Sequence, residues 1–212
     1  MRVPNRGAPA CRQGRFRFFL RACPYFLLLL SWSAPAAAAE YTIVPEQSEI
    51  HASIRYTLIG WYAAHFEKYD ARLNFDPDNL AASSVKMVFY TGSIASHWPR
   101  LDKIVRSPRL LNAPKYPQIT FQSRSIEKQE DGSYTVEGML SLHGIAHAYR
   151  FSFDLKQLDR DNLYAEGRWK INRKDFNIIW SQLLDHGGII VSDIITIDWS
   201  ILAQRKDFSL SN

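Results

Sequence analysis

The sequence predicts an all-β fold: an eight-stranded antiparallel up-and-down barrel with one short helix in a long loop. Three observations lead there. Apolar and polar residues alternate with period two in segment after segment, the connections are short turns rich in Gly, Asp and Asn, and only one stretch carries helical spacing. Period two means a strand with one dry and one wet face. Eight consecutive strands joined by short turns favour an antiparallel meander, and closing it into a barrel removes its exposed edges.

The first strand is predicted over 49–58, where Ile50, Ala52, Ile54, Tyr56 and Leu58 oppose Glu49, His51, Ser53, Arg55 and Thr57. The second, 70–75, sets Ala71, Leu73 and Phe75 against Asp70, Arg72 and Asn74, and Asp76-Pro77-Asp78-Asn79 turns the chain. The third, 85–92, contains Val85, Met87 and Phe89 and is apolar on both sides. The fourth (119–126) and fifth (134–143) flank the turn Glu130-Asp131-Gly132-Ser133, and the sixth (146–155) follows a tight turn at His143-Gly144. The seventh, 163–171, aligns Leu163, Ala165, Gly167, Trp169 and Ile171. The eighth, 189–202, aligns Val191, Ile195, Ile197, Trp199 and Ile201. In the interruption from Ser93 to Pro117, Leu101, Ile104, Val105, Leu110 and Leu111 have helical spacing bounded by Pro99 and Pro108, which predicts one short helix across a barrel end.

The domain organisation follows from the first 39 residues. Six arginines precede an apolar run from Tyr25 to Trp32, and Ala37 and Ala39 then offer a small-residue cleavage pattern, the order of a secretory signal peptide. The apolar core is about a dozen residues long, short of the roughly 20 that span a bilayer. The expectation is a cleaved segment 1–39 and a mature domain 40–212 in the periplasm, without an integral membrane span; the other reading is an uncleaved N-terminal anchor. Cys11 and Cys23 leave with the segment, so the mature domain has neither a disulfide nor a thiolate ligand. Removing six of the 26 basic residues leaves 20 against 21 acidic ones, a net charge of −1. The basic balance of the whole chain is therefore no footprint for nucleic acid.

Three segments carry a resemblance. Lys115-Tyr116-Pro117-Gln118-Ile119-Thr120-Phe121, Val136-Glu137-Gly138-Met139-Leu140-Ser141-Leu142-His143-Gly144 and Ile171-Asn172-Arg173-Lys174-Asp175-Phe176-Asn177-Ile178 are similar to motifs of the YceI-like family. That family consists of exported bacterial proteins related in architecture to lipocalins, some of which carry polyisoprenoid lipids. The resemblance covers residues 41 to 205 and implies a lipid-binding, lipocalin-like barrel. The chain departs from the family at Gln47, where a histidine is usual, and at Asn177, where glycine is usual. The family's R-D-x-H-L-R-S stretch reads Leu101-Asp102-Lys103-Ile104-Val105-Arg106-Ser107 here, without its first arginine and its histidine.

The function expected is carriage of one long apolar molecule: a polyisoprenoid, an isoprenoid quinone or a fatty-acyl chain. Each CH₂ taken out of water is worth about 0.8 kcal/mol, so apolar burial alone suffices for tight binding. The candidate lining is Ile50, Ala52, Ile54, Tyr56, Leu73, Phe75, Val85, Met87, Phe89, Phe121, Leu140, Trp169, Ile195, Ile197 and Trp199. Small residues on the same faces, Ala52, Ala71, Gly138, Ala165 and Gly167, either leave a slot or relieve crowding at bends. Arg106, Arg173 and Lys174 are head-group candidates, with Asp102 and Asp175 as partners; an arginine paired with an aspartate to pin a loop is the alternative.

Rival functions are an enzyme and an interaction module. His143 and His147 flank a turn without a third ligand nearby, so no metal site is expected, and no nucleophile elbow or phosphate-cradling loop occurs. No cofactor is expected beyond the bound lipid. A filled barrel working through its surface, in a stress response or as a protein-interaction module, would use Trp61, Tyr62, Phe66 and Trp98, read as loop aromatics. Self-association into a homodimer is left open by the sequence.

Overall fold

The computed structural model describes residues 38–56, 60–179 and 191–206. The expected signal peptide lies outside the described residues, apart from its last two alanines. Among the described residues the elements are β1 (Ala39–Ile43), β2 (Glu49–Tyr56), β3 (Gly60–Phe66), β4 (Tyr69–Phe75), β5 (Ser84–Tyr90), β6 (Ile94–Ser96), α1 (Pro99–Arg106), β7 (Gln118–Lys128), β8 (Tyr134–Leu142), β9 (Ile145–Leu158), β10 (Asn162–Asn172) and β11 (Val191–Arg205).

Eight strands close an antiparallel barrel in the order β1-β4-β5-β7-β8-β9-β10-β11, sealed by pairing of β1 with β11. The all-β barrel with one helix is thus as expected, but its membership differs in one place. The predicted first strand, β2, is not in the ring. It occupies the same edge of β11 as β1 does: Tyr41 to Ile43 pair with Ala203 to Arg205, and Glu49 to Tyr56 pair with Val191 to Ser200. A short 3₁₀ turn at Pro45–Gln47 separates the two strands. Ser48 repairs the ladder across that turn, its hydroxyl accepting from the Leu202 amide (3.1 Å) and donating to the Val44 carbonyl (2.8 Å). From β2 the sheet continues outward through β3 to β6.

β1, β3 and β6 were not legible as strands. β1 and β6 are five and three residues long. β3 mixes small and aromatic residues on both faces, so no alternation betrays it. Trp61, Tyr62 and Phe66, expected in a loop, are strand residues, and Tyr62 is buried. An aromatic run without polar punctuation is better read as a strand than as a loop.

The interior is packed by Phe121, Leu140, Val136 and Phe176, each 2% exposed or less. Gly138 and Gly167 serve this packing. A Cβ on Gly138 would meet the Phe121 ring at 2.6 Å, and one on Gly167 would meet the Trp199 indole at 2.7 Å. At these two positions the missing side chain is taken up by an aromatic ring from the neighbouring strand.

Candidate functional site: two apolar cavities in line

The first cavity, of about 90 Å³, lies inside the ring. Of the candidate lining, Ile50, Leu73, Phe75, Val85, Met87, Phe89, Phe121, Trp169, Ile197 and Trp199 border it, and Asn74 is its one polar neighbour. The second, of about 180 Å³, lies beneath α1 and takes Ala52, Ile54 and Ile195 from the candidate set. Successive inward residues of two strands pass from one cavity to the next, Ile50 then Ala52 on β2 and Ile197 then Ile195 on β11. The cavities are therefore consecutive along one line. Leu140 is buried in the core but borders neither, and the side chain of Tyr56 lies outside the described residues.

Sequence reasoning missed part of each wall. Phe151 and Phe153 of β9 border the first cavity, and their alternation with Arg150, Ser152 and Asp154 was a usable signal. They build an aromatic wall: the Phe151 ring lies 4.6 Å from Trp169 and 5.3 Å from Phe121, and Phe153 stacks on Tyr134 at 5.3 Å. Trp169 borders the cavity, and its indole N–H is buried with no hydrogen-bond partner among the described residues. A donor in that position costs about 1–3 kcal/mol unless something accepts from it.

The wall missed in the second cavity is α1. The predicted helix spans Pro99–Arg106 and ends before Pro108, and Leu101, Ile104 and Val105 on its inner face border the cavity together with Leu110 and Leu111. Leu101 and Ile104 are the positions where this chain lacks the arginine and histidine of the YceI-like motif. Both departures thus replace polar side chains by cavity lining. Gln47, in contrast, is exposed outside the barrel.

Asp102 holds α1 in place. It is only 4% exposed, accepts from the Tyr62 hydroxyl at 2.8 Å, from the Ser96 hydroxyl at 2.5 Å and from the Ser96 amide at 3.0 Å, and lies 4.0 Å from the Arg106 guanidinium. Burial pushes its carboxyl up, but the hydrogen bonds from Ser96 and Tyr62 and the Arg106 charge outweigh it and hold the group below its ordinary value. Burial, and then donation to Asp102, pushes the Tyr62 phenol far above its ordinary value. At neutral pH the pair is a carboxylate and a phenol.

The basic candidates are employed locally. Arg106 donates from Nε and Nη2 to the Ile94 carbonyl at 2.9 and 2.5 Å. Arg173, buried at the edge of the second cavity, donates to the carbonyls of Ser192 (2.9 Å), Ile178 (2.6 Å) and Val191 (3.4 Å) and to Asp193 (3.0 Å). Its carboxylate partner is Asp193 rather than Asp175, which accepts from Tyr149 at 3.1 Å. Lys174 is exposed and also pairs with Asp193, at 2.7 Å. Arg173 therefore ties the turn after β10 to the start of β11. Asn177 ends that turn at φ 54°, a left-handed conformation that asparagine tolerates better than most residues, which accounts for its standing where glycine is usual.

His143 donates from Nδ1 to the Phe176 carbonyl at 3.1 Å, and His147 is exposed and packs edge-on to the Phe176 ring at 5.3 Å. Among the described residues no three His, Cys, Asp or Glu side chains converge as metal ligands, and no helix is long and apolar enough to cross a membrane.

Comparison with known proteins agrees with this geometry. A family profile described as YceI-like domain matches residues 41–203. The chain is 33% identical over 162 residues to Protein YceI of Salmonella agona, covering 72% of this chain and 83% of that one. It is 33% identical over 157 residues to a UPF0312 protein of Yersinia enterocolitica, covering 71% and 81%. Among solved structures, BcnA of Burkholderia cenocepacia superposes with a TM-score of 0.68 at 24% identity, over 76% of this chain and 98% of the other. A domain from Saccharophagus degradans, described as polyisoprenoid-binding and implicated in plant cell wall breakdown, superposes with a TM-score of 0.59 at 10% identity, over 80% and 99%. These structural likenesses speak for the shared fold.

Proposed function

The chain belongs to the YceI-like family, and on that premise we propose that it is a periplasmic carrier that holds one long apolar molecule along its two cavities and catalyses nothing. The observation that carries this reading is the alignment of two apolar cavities along the same inward faces of β2 and β11. A linear hydrocarbon is the shape that such an arrangement accommodates. The polyisoprenoid-binding description of the Saccharophagus domain supports an isoprenoid as the first chain to try.

Volume sets a condition. The two cavities together fall short of the roughly 300–1,000 Å³ of ordinary ligand pockets. A long chain therefore enters by displacing side chains, and the place to yield is the junction where Ala52 faces Ile197 on β11 and Ala64 on β3. Inside, the unpaired N–H of Trp169 favours a cargo with an acceptor oxygen, such as a quinone carbonyl or an ester, over a bare hydrocarbon. Arg106 and Arg173, already bonded to carbonyls, contribute less to a charged head group than to holding the rim.

A chain-length titration tests this reading. Isoprenoid alcohols and quinones of increasing length are added to the exported protein, and binding is followed by quenching of tryptophan emission, Trp169 and Trp199 bordering the first cavity. Affinity should rise with length until both cavities are filled, and in Ala52→Phe the rise should stop early. Affinity independent of length, or an unchanged profile in Ala52→Phe, would refute threading through both cavities.

A further inference from the structure

The outer surface of α1 and its flanking loops carries a charge pattern that cargo binding does not use. Between His97 and Pro117 stand Arg100, Lys103, Arg106, Arg109 and Lys115, and the one acidic residue, Asp102, is buried against Tyr62 and Ser96. Arg100, Lys103, Arg109 and Lys115 are exposed. Residues 40–212 carry 20 basic and 21 acidic side chains, so outside this cap 15 basic face 20 acidic, and the cap concentrates the positive charge. The opposite barrel end is acidic: its three turns, β4 to β5, β7 to β8 and β9 to β10, carry Asp76 and Asp78, Glu130 and Asp131, and Asp159 and Asp161 against one basic residue, Arg160.

An exposed apolar residue accompanies the charge. Trp98, immediately before α1, is 59% exposed. It follows β6, whose Ser96 pairs with Ala64, and so lies toward the Gly60 end of β3, where Trp61 is equally exposed. Indole side chains beside lysines and arginines on an amphipathic helix match the interface of a bilayer, where the ring lies at head-group depth and the cations meet lipid phosphates.

We propose that the α1 cap is a docking surface for anionic phospholipid, on which the basic end of the barrel settles with the second cavity directly beneath. The acidic turns at the far end orient the approach, because they are repelled by the surface that attracts α1. Complementary charge could also favour an acidic polypeptide, but the two exposed tryptophans favour the bilayer. Docking is independent of which cargo is carried, so its failure would leave the carrier reading untouched.

The test is sedimentation of the exported protein with phosphatidylcholine vesicles, with and without phosphatidylglycerol. Binding is expected only where phosphatidylglycerol is present, and it should be lost in high salt because surface charges are screened. Each neutralised charge should weaken partitioning about fivefold, so R100Q/K103Q/R109Q should lose about a hundredfold. Trp98→Ser should weaken it with the charges intact. All three arginine and lysine positions are exposed, and a urea midpoint equal to wild type checks the fold of the variant. Equal binding to uncharged vesicles, no binding to either, or undiminished binding by the triple variant would overturn the proposal. So would binding that soluble polyglutamate abolishes while Trp98→Ser leaves it unchanged, which would assign the surface to an acidic protein.

Discussion

Tyr62 donates its phenolic hydrogen to Asp102 across 2.8 Å, and that bond joins the buried face of β3 to α1. The contact matters because both elements wall the second cavity, and Tyr62 itself borders it. α1 is eight residues long, too short to be stable alone, so its position depends on such tertiary contacts.

Tyr62→Phe removes one hydrogen bond from a buried carboxylate while keeping the ring. The expected cost is about 2 kcal/mol, in the range for hydrogen bonds to charged groups. Urea unfolding measures it, and amide exchange should quicken in α1 before it quickens in the barrel strands. An unchanged midpoint would mean that Ser96 alone satisfies Asp102.

Asp102 also sets a pH dependence. Its carboxyl is held below the ordinary value of 3.8. A group depressed in the folded state contributes its full stabilisation above the unfolded value and loses it as pH falls through the folded one. Wild type should therefore exceed Asp102→Asn in stability by a constant margin from about pH 5 upward. The margin should shrink as pH falls below 3.8. Urea midpoints of both proteins at neutral, mildly acidic and strongly acidic pH decide this, and a margin that persists in strong acid would contradict it.

Two glycine substitutions should differ in cost. A Cβ on Gly138 meets the Gln122 carbonyl oxygen as well as the Phe121 ring, so backbone must move. The three atoms nearest a Cβ on Gly167 all belong to the Trp199 side chain, which can tilt toward the first cavity. Gly138→Ala should lose about 1–3 kcal/mol and Gly167→Ala less, with ligand affinity reduced in the latter as the cavity narrows. Thermal or urea unfolding gives the order, and equal losses would count against it.

Trp169→Phe removes the unpaired indole N–H. Stability should hold or rise by about 1 kcal/mol, offset by lost ring area, because a buried donor without a partner is itself destabilising. Affinity for a quinone should fall more than affinity for a hydrocarbon of equal length. Calorimetric titration with both ligands reads the difference, and parallel losses would show that the N–H recognises nothing.

Much of this was legible in the sequence because half-buried strands write their two faces into alternate residues. Leu73 and Phe75, Ile195 and Ile197 fall on inward faces by that rule alone. The rule failed where strands are short, as in β1, or where both faces are small or aromatic, as in β3. It also could not say which inward residues border open space: Leu140 and Phe121 share one pattern, yet only Phe121 meets a cavity. That distinction depends on how rings pack across strands, as Phe121 does over Gly138. Likewise the spacing of Leu101, Ile104 and Val105 predicts a helix, but its role as a cavity wall follows from Asp102 reaching Tyr62, a partner forty residues away.

Whether the barrel carries a long apolar molecule is read most directly by native mass spectrometry of the protein purified from its own host, followed by organic extraction. The expected result is a stoichiometric adduct that extraction releases as a single class of long-chain lipid or quinone. Bare protein mass, persisting after incubation with isoprenoid and acyl lipids, would contradict it and leave a packed barrel that works through its surface.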